Sequence, residues 1–127
     1  MLPVTALTAL ALATLLLALT IHVIAGRRAG GIVHGDAGDA AFAKRIRGHA
    51  NAAEQVPIAL IVLGLAEYRA APHWLLVPLA LLLVAGRLAH AAYFARPGLT
   101  FRLRVFGMLA TLVAQAGLIL ALAVTLL

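Results

Sequence analysis

Apolar residues in this chain arrive in long uncharged blocks rather than in the period-3.6 stripes of helices that wet one face. A helix apolar all round must be covered by protein or by lipid. The first block, from about Leu2 to Ala25, carries no charge and at about 1.5 Å per residue is long enough for a hydrocarbon core of about 30 Å. The second is shorter: only twelve uncharged residues separate Glu54 from Glu67, roughly 18 Å of helix, so Glu54 must sit at or inside the membrane boundary. The helix itself is expected to run from about Ala40 to Arg69, with Pro57 freeing the carbonyl of Ala53, bending the helix and calling for polar neighbours there. A third block spans about His73 to Ala95 and a fourth about Phe101 to Leu127. The pattern predicts an all-α membrane protein, a single domain that is a four-transmembrane-helix bundle.

The connections fit that division. Arg27-Arg28, Gly30-Gly31 and Gly35-Asp36-Ala37-Gly38-Asp39 are turn chemistry. Ala70-Ala71-Pro72-His73 makes a tight second connection, with Trp74 placed for the aromatic belt, and Arg96-Pro97-Gly98 ends the third helix with Thr100 as N-cap of the next. On the fourth helix Gly107, Ala110, Ala114, Gly117 and Ala121 alternate by three and four, a small-residue stripe that lets backbones approach inside a bundle or between subunits. An alanine-rich composition is the rival explanation of the stripe.

Composition sharpens the picture. Of 127 residues 65% are hydrophobic and 11% charged, with a mean hydropathy of +1.08. The net charge of +6 comes from cations at the ends of apolar blocks, not from a tail or a stripe; this excludes nucleic acid as a partner and suits anionic headgroups or an anionic small molecule at the interface. Arg27, Arg28, Lys44, Arg45 and Arg47 flank the first loop and Arg96, Arg102 and Arg104 the third, against Arg69 alone at the second. The first and third loops should therefore be cytoplasmic and both termini periplasmic. The first block has no basic segment before it and reads as a retained helix rather than a signal peptide. There is no cysteine, hence no thiolate or sulfur metal site, and the histidines lack metal-ligand spacing, so no metal is expected.

Arg47, Asn51 and Glu54 are spaced by four and three and share a narrow stripe of the second helix. Ionisable groups at membrane depth point to function unless they serve as interhelical glue, with Arg47 and Arg87 neutralising Glu54. On the third helix Arg87, His90 and Phe94 share a face while Tyr93 points about 120° away from Arg87. Taken alone, His90 reads as a hydrogen-bonded packing residue. Several guanidinium groups, one carboxylate and an amide suit a small, predominantly anionic zwitterion. Glutathione has that charge pattern and carries the thiol the chain lacks.

The segment Arg47-Gly-His49-Ala-Asn51-Ala-Ala-Glu54-Gln-Val-Pro57 resembles the second-helix signature of the MAPEG family, the membrane-associated proteins in eicosanoid and glutathione metabolism. Gly35 to Asp39, Gly86-Arg87-Leu-Ala-His90 and the run from Arg104 to Thr111 are similar to bacterial members. The resemblance implies a homotrimer in the bacterial inner (plasma) membrane with glutathione, as co-substrate, in clefts between subunits. Arg47, Asn51 and Glu54 match second-helix glutathione contacts and Arg87 a third-helix contact; His90 and Tyr93 join the candidate binding set. Arg104, with Arg102 as alternative, matches the fourth-helix arginine that approaches the thiol. Two departures stand out: Gln55 where many enzymatic relatives have an aromatic residue, and Phe94 where they have tyrosine. The expected function is a membrane glutathione transferase presenting its thiolate to a lipophilic electrophile; the alternative is a non-catalytic lipid- or glutathione-binding accessory protein. A small multidrug exporter would need a membrane acid on the first helix, which has none.

Overall fold

The computed structural model describes all residues, Met1–Leu127. Four helices account for nearly the whole chain: α1 Pro3–Gly30, α2 Ala40–Tyr68, α3 His73–Ala95 and α4 Phe101–Val124. Each is long and apolar enough to cross a membrane. The first span is longer than its apolar block. The helix continues through Arg27 and Arg28 and stops at Gly31, whose φ of 62° lets it take the left-handed C-cap position. Hydropathy marks where lipid ends, whereas only the cap marks where the helix ends.

The other ends follow local chemistry. Asp39 caps α2 by accepting from the backbone N–H of Ala41 and Phe42 at 2.8 and 3.1 Å. Thr100 occupies the N-cap position of α4 with extended backbone, but its side chain makes no capping bond. Helix α2 passes through Pro57 without interruption. The polar neighbour near that level is Gln115 on α4, whose Nε2 donates to the carbonyl of Gln55 at 3.2 Å.

Helix α1 packs on α2 and α3, α4 packs on α2 and α3, and α1 does not touch α4. The bundle is thus a square with α2 and α3 on the shared diagonal. Leu and Ala fill it in three layers, centred on Leu63, Leu76 and Leu118 at one end, Leu12 and Leu83 in the middle, and Leu19, Ala52 and Ala91 at the other. Only 26 of 127 residues are buried, and large side chains such as Leu7, Leu17, Leu81 and Leu120 face outward. Such a surface belongs in lipid.

The small-residue stripe works inside the bundle. Gly107, Ala110, Ala114 and Ala121 are buried, and α4 lies so close to α3 that a Cβ on Gly107 would sit 2.6 Å from both the Gly86 carbonyl oxygen and the His90 nitrogen. Glycine is required at this crossing because backbone occupies the space.

At the end carrying both chain termini, the last turn of α2 joins its neighbours. The Glu67 carboxylate accepts from the backbone N–H of Val4 (2.9 Å) and Thr5 (2.7 Å) and from the Thr5 hydroxyl (2.6 Å), so it caps α1 from another helix. Two residues on, Arg69 donates to the carbonyl of Thr125 at 2.8 Å, at the C-terminus of α4.

Candidate functional site

The opposite end of the bundle gathers eight of the ten cations: Arg27, Arg28, Lys44, Arg45, Arg47, Arg96, Arg102 and Arg104. Beneath them lies Arg87, at 0% exposure the largest fully buried side chain in the molecule. It reaches the core because Gly86 and Gly107 bring α3 against α4, leaving the Arg87 side chain to cross toward α2. One terminal nitrogen, Nη2, donates to Asn51 Oδ1 at 2.9 Å and to His90 Nδ1 at 2.8 Å. A guanidinium only donates, so His90 Nδ1 is the acceptor and a neutral imidazole carries its proton on Nε2. The remaining donors, Nε and Nη1, are buried and have no partner.

A buried cation with two unused donor nitrogens and no carboxylate is an unusual arrangement, since buried charges are ordinarily paired. Glu54 does not supply the pairing. The carboxylate is exposed, and the single ion pair of the chain is the Glu67–His73 contact at 3.5 Å, at the far end. The reading in which Arg47 and Arg87 neutralise Glu54 is therefore corrected: Arg87 bonds Asn51 and His90, while Arg47 and Glu54 flank Asn51 on the exposed side of the same α2 stripe. Sequence spacing gave the stripe but not the register of α3 against it.

Around the mouth the side chains are aromatic and cationic. Phe94 is buried, seated against Gly48, where a Cβ would lie 2.5 Å from its own, and stacked at 4.9 Å on His90. Arg104 lies over the rings of Phe94 (5.6 Å) and Phe101 (5.3 Å), whereas Arg102 is exposed and makes no side-chain hydrogen bond or ion pair. Tyr93 stands beside the Arg87 face, edge-on to Phe94 at 5.0 Å, with the Lys44 ammonium 3.8 Å above its ring. Lys44, which the sequence marks only as a loop cation, belongs to the same stripe, because 44, 47, 51 and 54 continue the alternation of three and four.

Taken together, Arg87, Asn51 and His90 form one hydrogen-bonded unit, Arg104 and Tyr93 reach it only through Phe94, and Arg47 and Glu54 stand at its rim. Such a site can recognise an anion with guanidinium donors and a cation with one carboxylate.

Comparison with known proteins covers nearly the whole chain. The family model described as "MAPEG family" matches residues 5–124. The chain is 35% identical over 118 residues to the inner membrane protein YecN of Escherichia coli strain K12, covering 93% of this chain and 88% of that protein. The same protein from E. coli O6:H1 gives the same figures.

Proposed function

Because the chain belongs to the MAPEG family, we propose that it is a membrane-bound glutathione transferase-like protein. It holds glutathione between the subunits of a homotrimer and presents the thiolate to a lipophilic electrophile from the bilayer. The observation that carries this reading is Arg87, a fully buried guanidinium whose Nε and Nη1 are without partners beside Asn51. An anionic group of the tripeptide supplies the charge-assisted acceptor that these donors lack. Arg47 adds a second cation at the rim and Glu54 an acceptor for the ammonium. Arg104, within the first turns of α4, favours thiolate over thiol, helped by the positive end of that helix. The thiol proton leaves to water, the sulfur forms the new bond to the electrophile's carbon, and the leaving group departs with its electron pair. The printed name of the E. coli relatives supports an inner-membrane location, and the cation count supports cytoplasmic first and third loops.

A second reading, glutathione or lipid binding without catalysis, is favoured by Phe94. Its ring stands between Arg104 and the Arg87 unit and has no hydroxyl to offer a thiolate.

Calorimetric titration with glutathione tests the binding reading. Asn51→Asp places a carboxylate at 2.9 Å from Arg87 Nη2 and should neutralise the site, lowering affinity at least tenfold, about 1.4 kcal/mol, while the protein stays folded. Unchanged affinity removes the assignment. Stopped-flow absorbance of the thiolate on mixing with glutathione separates the two readings, since binding without a thiolate signal supports the accessory role.

A further inference from the structure

The seam between α1 and α3 opens into two grooves on the outside of the bundle. Leu12 and Leu83, both at 0% exposure, close it between them. The groove at the terminus end, about 430 Å³, is walled by residues such as Leu7, Val77 and Leu81; its polar members are His73 and Thr8, whose hydroxyl donates to the Val4 carbonyl. The other, about 500 Å³, lies at the cation-rich end. Its walls are Leu19, Leu88, Ala92 and Ala95, and its polar members are His22 and Arg96.

Two features set the second groove apart. His22 Nε2 is buried without a hydrogen-bond partner, although the walls around it are apolar, and a buried polar atom ordinarily has one. Arg96, at the C-cap of α3, is exposed and pairs with no acid. From Leu88 to Arg96 the wall rises about 12 Å along the membrane normal, apolar below and cationic above. The flanking side chains, Leu17, Ile21 and Leu88, face outward, so the groove opens to lipid.

We propose that this groove binds an anionic phospholipid of the bilayer, the acyl chain lying along Leu88 and Leu19 and the phosphate received by Arg96 and His22. The asymmetry of the two grooves is the argument. Both accept a chain, but only this one has an arginine at headgroup depth, and a cation near the membrane surface is worth about fivefold in affinity for an anionic lipid. The site is on a different face from the Arg87 unit and does not depend on glutathione.

Native mass spectrometry of the detergent-purified protein, supplemented with phosphatidylglycerol or with phosphatidylcholine of the same acyl chains, tests it. The parent should retain phosphatidylglycerol about fivefold or more over phosphatidylcholine. Arg96→Gln and His22→Phe should each reduce that preference, Arg28→Gln, outside the groove, should not, and Ala92→Trp should expel both lipids by filling the space. Equal retention of the two lipids by the parent overturns the proposal, as does a loss in Arg28→Gln equal to that in Arg96→Gln. Preference for a free fatty acid over phosphatidylglycerol, or a changed oligomeric mass in Ala92→Trp with lipid retention intact, overturns it as well. Should Ala92→Trp not fold, Arg96→Gln alters an exposed side chain and decides the question.

Discussion

Replacing Gly107 by alanine tests whether the crossing of α3 and α4 is what holds the site in register. The added Cβ would lie 2.6 Å from the Gly86 carbonyl oxygen, 2.6 Å from the His90 nitrogen and 2.8 Å from the His90 Cβ, where ordinary contact begins at 3.4 Å. Two of the three obstacles are backbone, so no rotamer relieves the clash. The helices must part by roughly 0.8 Å at this level, and overpacking of that kind costs about 1–3 kcal/mol. Because His90 is one of the atoms pushed, its bond to Arg87 at 2.8 Å should lengthen with it. Gly64 provides the control: its Cβ would meet only Thr5, at an ordinary 3.5 Å from Cγ2 and 3.9 Å from Oγ1, so Gly64→Ala should change stability by between zero and about 1 kcal/mol, in the favourable direction. Reversible unfolding in mixed micelles with increasing dodecyl sulfate, followed by far-UV circular dichroism and by Trp74 fluorescence, measures both variants against the parent. Gly107→Ala at or above the stability of the parent would refute the close-approach argument.

Glu67→Ala leaves the N–H groups of Val4 and Thr5 and the Thr5 hydroxyl without their acceptor, and should cost about 1.5–3 kcal/mol in the same unfolding assay because charge-assisted bonds are lost; a loss below about 0.5 kcal/mol would deny the cap its role. At saturating glutathione, Arg104→Ala should abolish thiolate formation and activity toward an aromatic electrophile while Arg102→Ala changes them modestly, since only Arg104 touches the aromatic cluster over His90; equal activity in Arg104→Ala and the parent sinks this assignment. A cysteine at Gly35 should be shielded from an impermeant thiol reagent in intact cells and one appended after Leu127 should react, and the reverse pattern overturns the orientation taken from the loop cations.

Four spans were legible because uncharged length is a property of the chain itself. Arg27 and Arg28 fall past the first apolar block yet inside α1, which hydropathy does not register because a helix in water at the membrane surface tolerates arginine. The stripe of Arg47, Asn51 and Glu54 follows from helical period alone, and so would Lys44. Which of these residues meets Arg87 depends on how far α3 is slid along α2, a quantity fixed by Phe94 settling into the space above Gly48, just as Gly86 against Gly107 fixes α3 along α4. Neither contact has a periodic signature. Glu67 marks the end of an apolar block in the sequence, but its role as a cap for α1 lies 62 residues away in the chain, beyond the reach of any local pattern.

The end of α2 that carries Glu67 and Arg69 has a mechanical meaning. Within three residues it fastens the start of α1 and the finish of α4, and the short turn that follows ties α3 covalently. At the other end no side-chain hydrogen bond joins the first two turns of α4 to any other helix; the nearest such link is Gln115, farther along. The fourth helix is therefore pinned by a polar bond at the terminus end and by the Gly86–Gly107 crossing, while beyond that crossing its first turns meet the neighbouring helices through ring contacts. Room for a molecule beside Arg104 and Phe94 is made by turning rings above that crossing, with no side-chain hydrogen bond from the first two turns of α4 to another helix to break.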